Sequence, residues 1–463
     1  MSVKTETLEQ KNETIIDDIS DQTVPELENK QNVDNDKLAA LKAQMATKQG
    51  LVKEEVMPPR IIEQKRRTLN FGVIGSGHAG ARLAESLYNL GYEAIAINTA
   101  QQDLENIHIP EANKVLLNYG LGGASKDPQI GHEAAHMYKD LIRSSIKDKL
   151  HAAQLYVFCT SLGGGSGSGS IETIVDVLSD LGAENGAPLV VITVLPMTNE
   201  DAQTKKNAIE ALAKLSKEVQ AGRVHNLIVI DNAKIETIFS DVGPMEFYAV
   251  SNQAIVEPLD VFNTYSSASS NVKSLDPMEF TKLLIQGGGL SLYGSMTVSN
   301  YQDDVALADA VINNLTSGLL ADGFDLKQTQ YCGVMFLANK EVWAKLPSSS
   351  IHYAMAMVQD HAGTPQGTFR GLYEADIKED VVKVYSFFSG LALPTARVEE
   401  LKSEVAAQFA TLKEKGVARN INLSIDTGTT AVVSEADKVR QKIKDNNSVF
   451  GRFTKNVVDK RRK

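Results

Sequence analysis

The 463-residue chain is poor in cysteine and tryptophan and carries no excess of positive charge. Its two cysteines, Cys159 and Cys332, are too few for a disulfide framework, which favours a reducing compartment. Lysine and arginine total 47 against 58 aspartate and glutamate residues, and the net charge of −11 argues against a chain that coats nucleic acid. No apolar run is long enough to span a bilayer, and the first residues lack a signal-peptide pattern. We therefore expect a cytoplasmic protein without a membrane span.

The distribution of apolar residues divides the chain into five segments. Residues 1–66 are acidic and hold few apolar residues, so we expect a disordered extension there. Residues 67–245 are predicted to form an α/β domain, and residues 246–283 a long central helix followed by a loop. Residues 284–397 are predicted to form a second, smaller α/β domain. Residues 398–463 are predicted to form a helix and a flexible basic tail.

Apolar strands alternate with amphipathic helices through the first domain, a pattern that predicts a doubly wound parallel sheet. The predicted strands of this domain are residues 69–74, 93–98, 115–118, 155–159, 189–195 and 226–230. Its predicted helices are residues 79–90, 129–150, 171–181 and 201–221, and the central helix is predicted at 245–267. The second domain has predicted strands at 290–299, 333–338 and 381–389 and helices near 305–319 and 352–361. A last helix is predicted at 398–415.

Two glycine-rich loops directly follow predicted strands. Residues 161–170 read SLGGGSGSGS, and residues 75–80 read GSGHAG, which fits the pattern GxGxxG. Glycine lets a ligand approach the backbone closely, and a helix that begins after such a loop directs N–H groups at phosphate. The two loops therefore predict a phosphorylated ligand.

A Rossmann dinucleotide site is one interpretation of the GxGxxG loop. Such a site needs an acidic residue at the end of the second strand, but that strand ends in Asn98-Thr99-Ala100. The nearest acids are Glu93 and Asp103, at the start of the strand and beyond its end. Neither loop ends in Gly-Lys-Ser/Thr, so a P-loop is also absent. An NAD-dependent oxidoreductase stays open as an alternative.

The ordered set of motifs resembles the tubulin/FtsZ superfamily of GTPases over residues 69–394. GVIGSGHAGAR is similar to the first phosphate loop, AINTAQQDL to the stretch after the second strand, and GLGGASKDPQIGHEAA to the third loop. LGGGSGSGS resembles the signature GGGTGTG, with serine in place of threonine. LIVIDNAKI and AVSNQAI resemble the base-contacting regions, and SLDPMEFTKLL the catalytic loop. The resemblance implies a GTP-binding domain joined by a long central helix to a smaller α/β domain.

The resemblance also implies a set of nucleotide-binding residues. The β- and γ-phosphates would meet backbone amides of Gly163, Gly164, Gly165, Ser166, Gly167, Ser168 and Gly169. The α- and β-phosphates would lie near Gly75, Ser76, Gly77 and Gly80, and the γ-phosphate near Gly122, Gly123 and Ala124. Glu200 matches the ribose-binding acid, and Asn232 and Asn252 the amides that recognise guanine, while Asn98 ends the second strand of the site. GTP or GDP and Mg²⁺ are the implied ligands.

Three positions depart from the superfamily pattern. Ala100 replaces an acid that is common in the second loop of FtsZ, so a direct metal ligand is not expected there. Thr204, followed by Lys205 and Lys206, replaces an arginine one turn after the ribose acid. Gln253 replaces the carboxylate with which FtsZ reads guanine, and an amide can still contact that base.

Hydrolysis needs a polar or acidic group that positions water at the γ-phosphate, and neither glycine loop contains an obvious acid. In the superfamily these acids come from the next subunit of a filament, and Asp276 and Glu279 occupy the matching positions. The same spacing before Pro277 also fits an N-cap with a capping box, a role compatible with catalysis. Head-to-tail contacts of this kind do not close, so they build filaments.

The two branches of the superfamily differ in their tails. FtsZ usually ends in a short peptide that contains proline, whereas the last residues here, SVFGRFTKNVVDKRRK, contain none. This difference favours the plasmid and phage branch of TubZ- and PhuZ-like proteins, which move or centre DNA. The basic tail after Lys415 would then contact an adaptor, a DNA-bound complex or a viral particle. An FtsZ-type division protein and a GTPase-like protein that does not polymerise are the alternatives.

A separate motif, His132-Glu133-Ala134-Ala135-His136, fits the zinc-protease pattern HExxH on a predicted helix. No third ligand follows at a typical distance, and the motif lies inside the superfamily match. We therefore expect ordinary surface histidines and no metal bound by the protein at this helix.

Overall fold

The computed structural model describes residues 66–320 and 323–418, whose ten strands join in one sheet. The strand order is β3-β2-β1-β4-β5-β6-β7-β10-β8-β9. The strands are β1 (Phe71–Ser76), β2 (Glu93–Asn98), β3 (Lys114–Leu116), β4 (Leu155–Ser161), β5 (Leu189–Leu195), β6 (Asn226–Asp231), β7 (Leu290–Val298), β8 (Tyr331–Ala338), β9 (Gly367–Glu374) and β10 (Val382–Leu391). Residues 1–65 of the predicted extension and 419–463 of the predicted tail lie outside the described residues.

Thirteen α-helices connect these strands within the described ranges. They are α1 (Gly77–Asn89), α2 (Gln101–Glu105), α3 (Pro128–Met137), α4 (Lys139–Lys149), α5 (Ser166–Asn185), α6 (Ala202–Gln220), α7 (Asn232–Ile238), α8 (Phe247–Tyr265), α9 (Pro277–Thr281), α10 (Ala306–Thr316), α11 (Lys340–Lys345), α12 (Ser348–Ala362) and α13 (Thr395–Ala418). Short 3-10 turns cover Glu111–Asn113 and Leu326–Gln328, and a π turn covers Lys282–Gln286. None of the helices in this part of the chain combines the length and apolarity that a bilayer crossing requires.

The first six strands pair only in parallel, as the alternation of strands and helices predicts. Strands β1 and β5 are buried along their whole length, because a parallel sheet covered by its crossover helices leaves no solvent-facing side. The predicted doubly wound parallel sheet is confirmed. The carboxyl ends of these strands lie along one edge of the sheet, where α/β proteins bind their ligands.

The second half of the chain continues the same sheet. Strand β7 pairs in parallel with β6 through Leu227↔Leu290 and Ile228↔Ser291. Strand β10 then pairs antiparallel with β7 and β8, and β9 pairs in parallel with β8. The fold is thus a parallel-dominant α/β arrangement in which the smaller α/β region adds a mixed set of strands.

Two local expectations are corrected. The single helix predicted over residues 129–150 is two helices, α3 and α4, because Tyr138 takes a non-helical backbone conformation between them (φ −101°, ψ 19°). Strand β9 is absent from the sequence prediction, since its first four residues are only half-buried and include Arg370. Strands that are half-exposed and polar lack the apolar pattern on which such a prediction depends.

The predicted central helix, α8, joins the two edges of the parallel sheet. Near its start, the ring of Tyr248 lies 5.3 Å from the Arg82 guanidinium of α1, at the carboxyl edge. Near its end, the backbone oxygen of Asn263 accepts from the Thr68 amide at 2.9 Å, just before β1 begins at the amino edge. The helix therefore runs from the edge with the glycine loops to the opposite edge.

Candidate nucleotide-binding site

The first loop (residues 75–80) and the fourth loop (residues 161–170) are in direct contact at the carboxyl edge. Strand β1 ends at Ser76, and Gly77 begins α1 with φ +72°, a conformation that favours glycine. A Cβ atom on Gly77 would lie 2.8 Å from the amide nitrogen of Gly167. The hydroxyls of Ser76 and Ser170 are 2.6 Å apart and buried. The two predicted phosphate loops thus form one surface.

Most glycines of the fourth loop are required by packing between protein elements. An added Cβ would lie 2.7 Å from the Ala124 Cβ at Gly165, 2.5 Å from the Thr204 methyl carbon at Gly163, and 2.2 Å from the Pro128 oxygen at Gly169. The amide of Gly169 also donates to the Gly165 oxygen at 3.0 Å within α5. Gly169 therefore acts in packing. Its amide already donates within α5, although the resemblance assigns that amide to phosphate.

The amides at the start of α5 remain suited to an anion. Ser166, Gly167 and Ser168 lie in its first turn, where a helix leaves N–H groups without an intrahelical acceptor. Gly164 precedes them, and an added Cβ there would meet only the Ser161 hydroxyl at 3.3 Å. Among residues 162–170, Gly164 and Ser166 are partly exposed, whereas Gly167 and Ser168 are buried.

The third loop has an unusual run of left-handed backbone. Gly122 and Gly123 have φ +89° and +83°, and Ser125 and Lys126 have φ +47° and +62°. Positive φ at non-glycine residues is uncommon and strained, and it clusters at binding sites. Nothing lies within 4 Å of the position of a Cβ on Gly122. Loops of this conformation form backbone concavities that hold anions.

Asn98 is turned inward. Its side-chain nitrogen donates to Asp103 at 3.0 Å, and its side-chain oxygen accepts from the Ala100 amide at 3.2 Å. The residue is 1% exposed. Asn98 therefore orders the second loop through protein contacts, and its assignment as a nucleotide-binding residue stays a prediction.

The ribose-binding candidate, Glu200, lies before α6 and is half-buried. One of its carboxylate oxygens accepts from the Met197 amide at 2.9 Å. The next residue, Asp201, caps α6 by accepting from the Thr204 amide at 2.8 Å. Its carboxylate also lies 2.7 Å from the Lys126 Nζ of the third loop. This lysine holds the pKa of Asp201 at about 2.

Asn207 is a second link that the sequence does not reveal. It lies on α6, is 2% exposed, and donates to the backbone oxygens of Lys126 at 2.9 Å and Gly163 at 3.2 Å. One buried amide thereby fixes the third loop to the fourth. A single polar residue inside a helical pattern gives no signal of this role.

The residues that replace the superfamily arginine interact with other groups of the protein. Thr204 donates its hydroxyl to Asp201 at 3.0 Å. Lys205 is 2% exposed and donates to the Thr198 backbone oxygen at 2.7 Å. Lys206 lies 3.7 Å from Glu210 on the helix surface. None of the three supplies the cation that the missing arginine would have supplied.

The two guanine-contact candidates lie on helices that begin at the carboxyl edge. Asn232 is the first residue of α7, directly after β6, and is half-buried. Asn252 lies in the second turn of α8 and is half-buried, as is its neighbour Gln253. Their positions suit base recognition, and these roles stay predictions.

Asp276 and Glu279 lie at the opposite edge of the sheet. The segment that carries them connects the end of α8 to β7, whose first residue, Leu290, pairs with Leu227 near the amino end of β6. The strands between the edges span about 20 Å. The capping box is present, because Asp276 accepts from the Glu279 amide at 2.8 Å and Glu279 accepts from the Asp276 amide at 3.0 Å.

The glutamate of the HExxH motif is hydrogen-bonded to other side chains of the protein. Glu133 accepts hydrogen bonds from the Tyr119 hydroxyl and from the side-chain Nε2 of Gln129, and these bonds lower the pKa of its carboxyl. The rings of His132 and His136 lie 6.3 Å apart. Within the described ranges, no group of three or more His, Cys, Asp or Glu residues is arranged to hold a metal ion.

A parallel sheet whose carboxyl edge carries interlocked glycine loops, a left-handed loop and a helix amino end defines an α/β nucleotide-binding protein. Residues 70–240 match the model of the GTPase domain of the tubulin/FtsZ family. Residues 260–402 match the model of the C-terminal domain of TubZ-like tubulin/FtsZ proteins. The chain therefore belongs to the tubulin/FtsZ family and carries its GTPase domain.

Individual relatives agree with this assignment. The tubulin-like protein TubZ of Bacillus cereus is 25% identical over 373 residues, which are 74% of this chain and 84% of that protein. The protofilament of Bacillus thuringiensis serovar israelensis TubZ in its GTPγS form has a TM-score of 0.67 at 18% identity, covering 77% of this chain and 96% of that one. A structure described as type III plasmid segregation TubZ has a TM-score of 0.62 at 18% identity, covering 76% and 95%.

Proposed function

We propose that this protein binds and hydrolyses GTP and assembles head-to-tail into dynamic filaments, in which acids of one subunit complete the hydrolysis site of the next. The observation that carries the proposal is the separation of Asp276 and Glu279 from the glycine loops by the width of the sheet. One subunit cannot bring both groups to the same phosphate. Two subunits stacked edge to edge can.

The residues at the carboxyl edge suit a guanosine triphosphate. The open side of Gly122 and the first-turn amides of α5 offer N–H groups to phosphate oxygens, and Glu200, Asn232 and Asn252 remain for ribose and base. Mg²⁺ would neutralise phosphate charge, and it takes only one or two ligands from the protein in such sites. The paired hydroxyls of Thr99 and Ser166, 2.6 Å apart, are oxygen ligands of a suitable type.

The chemistry assigned to the acids is positioning of water. A carboxylate of Asp276 or Glu279 would accept a hydrogen bond from water and orient it for in-line attack on the γ-phosphorus. Loss of the γ-phosphate then removes a bridge between subunits. The contact weakens, so hydrolysis sets the lifetime of the filament.

Exposed apolar side chains lie at both edges. Leu121, next to Gly122 in the third loop, is 70% exposed, while Val272 and Met278 beside the acids are 72% and 59% exposed. Stacked subunits would bring these residues into one interface and remove them from water. The TubZ protofilament structure is a precedent for such assembly in a relative.

The C-terminal match favours the plasmid and phage branch over an FtsZ-type division protein. A relative is described as a plasmid segregation protein. We infer a cytoplasmic filament that positions or segregates DNA or phage, with an adaptor protein, a DNA-bound complex or a viral particle bound to the basic tail after Lys415. PhuZ-like phage centring is the variant of this role in which the cargo is viral.

Phosphate release measured across a range of protein concentrations tests the shared site. The rate per molecule should be near zero below a threshold and rise where sedimentation and electron microscopy detect filaments. A rate per molecule that is the same at every dilution would exclude the shared site. Absence of filaments at any concentration with GTP would favour the non-polymerising alternative.

The oxidoreductase alternative makes a different prediction about the ligand. Its acidic ribose partner would end the second strand, where Asn98 instead contacts Asp103 and Ala100. Mass spectrometry of nucleotide released from gently purified protein decides the matter. Guanine nucleotide supports the GTPase, and nicotinamide dinucleotide supports the oxidoreductase.

A further inference from the structure

Within the described residues, the final helix, α13, is joined by buried charges to the end of β6 and to α6, the helix after β5. Arg397 of α13 is 8% exposed, and its Nε lies 2.6 Å from Asp231, the last residue of β6. Lys205, also buried, pairs with Glu404 of α13 at 2.6 Å and donates to the Thr198 oxygen. These contacts link α13 to the segments after β6 and β5 that carry the predicted base and ribose contacts, respectively.

Asp231 has two functions at once. One of its oxygens accepts from the Ala233 amide at 3.1 Å and caps α7. Its carboxylate also accepts from Arg397 through Nε at 2.6 Å and Nη2 at 3.4 Å. Asn232 lies between Asp231 and Ala233, so its backbone is held by both contacts. The cap sets the start of α7, and the guanidinium fixes the carboxylate that makes the cap.

Arg397 is itself held by α13. Its Nη1 lies 2.7 Å from Glu400 and 3.3 Å from Glu404. A planar guanidinium with three carboxylate neighbours has little freedom to move. Buried ion pairs of this kind add little net stability compared with apolar packing, but they can fix one geometry. The cluster is therefore better suited to positioning Asp231 than to stabilising the fold.

We propose that Arg397 is a positioning residue for guanine recognition, acting through Asp231 on the placement of Asn232. This inference rests on the proposed function, because it takes Asn232 as a base contact. By this inference, α13 contributes to the nucleotide site although it does not touch the nucleotide. Displacement of α13 would then loosen the hold on the base.

A double-mutant cycle on GDP affinity tests the coupling. Asn232→Ala should weaken GDP binding about 10-fold or more, because it removes one hydrogen bond to the base. Arg397→Met should weaken it about 10-fold in the wild type but by less than about 2-fold in the Asn232→Ala background. GDP is used because it measures binding without assembly.

A matched control is Arg223→Met. Arg223 also pairs with two carboxylates, Asp176 at 2.6 Å and Glu218 at 2.5 Å, but it lies before β6 at the amino edge. Its GDP affinity should equal that of the wild type. If Arg397→Met does not fold, Arg397→Lys takes its place in the cycle, since it keeps the charge but cannot reach all three carboxylates.

The outcomes separate the two hypotheses. Unchanged GDP affinity in the Arg397 variant, or an equal loss in both backgrounds, would overturn the positioning role. Unchanged affinity in Asn232→Ala would instead remove Asn232 from base recognition, and a wild type that does not bind GDP would refute the proposed function. The coupling is supported if the Arg397 substitution weakens GDP binding in the wild-type background but not in the Asn232→Ala background.

Discussion

The hydroxyl of Tyr373 on β9 accepts a hydrogen bond from the Leu275 amide at 2.8 Å and donates one to the Leu275 backbone oxygen at 3.1 Å. Leu275 directly precedes Asp276, so this pair fixes the loop that carries the proposed catalytic acids. Burial, aided by the nearby Glu279 and Asp276 carboxylates, raises the pKa of Tyr373 to about 12, which keeps the hydroxyl protonated.

Replacing Tyr373 by phenylalanine should loosen this loop. The variant leaves two backbone groups of Leu275 without their partner, and misplacement of a catalytic group by about 1 Å can cost up to about 100-fold in rate. We expect GTP turnover to fall about 10-fold, with GDP affinity unchanged. Phosphate release and GDP titration measure the two effects. Tyr331→Phe, which removes an exposed hydroxyl bonded to Gln366, is the control. Equal turnover in both variants would contradict the anchoring role.

Asp276 has a structural and a proposed catalytic role, which Asp276→Asn can separate. Asparagine caps helices as well as aspartate, so the bond from the Glu279 amide and the melting temperature should be kept. Loss of the charge should lower GTP turnover by about 100-fold or more, leaving long-lived filaments. Phosphate release and sedimentation check this outcome, and Asp276→Ala, which loses both roles, should also melt at a lower temperature. Wild-type turnover in Asp276→Asn would leave capping as the role of this residue.

The pair of Lys126 and Asp201 predicts a dependence of stability on pH. The lysine depresses the pKa of Asp201 from its usual 3.8 to about 2. The contribution of the pair is therefore complete above about pH 4 and lost as the pH falls from 4 towards 2. Both side chains are half-exposed, so the effect should be about 0.5 kcal/mol.

The matched variant for this pair is Asp201→Asn, which keeps the cap on the Thr204 amide. Urea denaturation should find the wild type more stable than the variant at pH 5, with the difference shrinking towards pH 2. A difference that stays constant over this interval would mean that the charge pair does not contribute.

Gly131 is predicted to be intolerant of a side chain. A Cβ atom there would lie 2.2 Å from the Gly165 oxygen, at the start of α5. Gly131→Ala should therefore displace the fourth loop, costing about 2 kcal/mol and weakening GDP binding, although alanine favours helix formation. Thermal denaturation and GDP titration measure these changes. Gly243→Ala, at a position with nothing within 4 Å, should behave as wild type. Wild-type behaviour of Gly131→Ala would show that the two helices can separate without effect.

Local sequence patterns were sufficient for the parallel part of the fold. Apolar runs such as the one in β5, LVVITVL, have no polar alternation, and this is typical of strands buried on both sides. The pattern failed at β9 and at Tyr138, where half-exposed residues and one non-helical backbone conformation interrupt the usual periodicity. Such features depend on what packs against the segment.

The candidate site was predictable only in part. Glycine loops after strands are a local signal, and so is the capping box at Asp276. Other contacts join residues that are far apart in the chain: Asp231 and Arg397 are separated by 166 positions, and Lys126 and Asp201 by 75. Nothing in the sequence near either partner indicates these pairs.

The sequence by itself determined the glycine turns that follow the strands and the capping box at Asp276, because these depend on neighbouring residues and on backbone freedom. Only the tertiary structure decided that the glycine loops and the acids lie at opposite edges of one sheet. That separation follows from the parallel register of β6 and β7, which aligns the residues after Asp276 with the amino ends of the strands. Hydrogen bonding between distant strands sets this register, and no short stretch of sequence contains it.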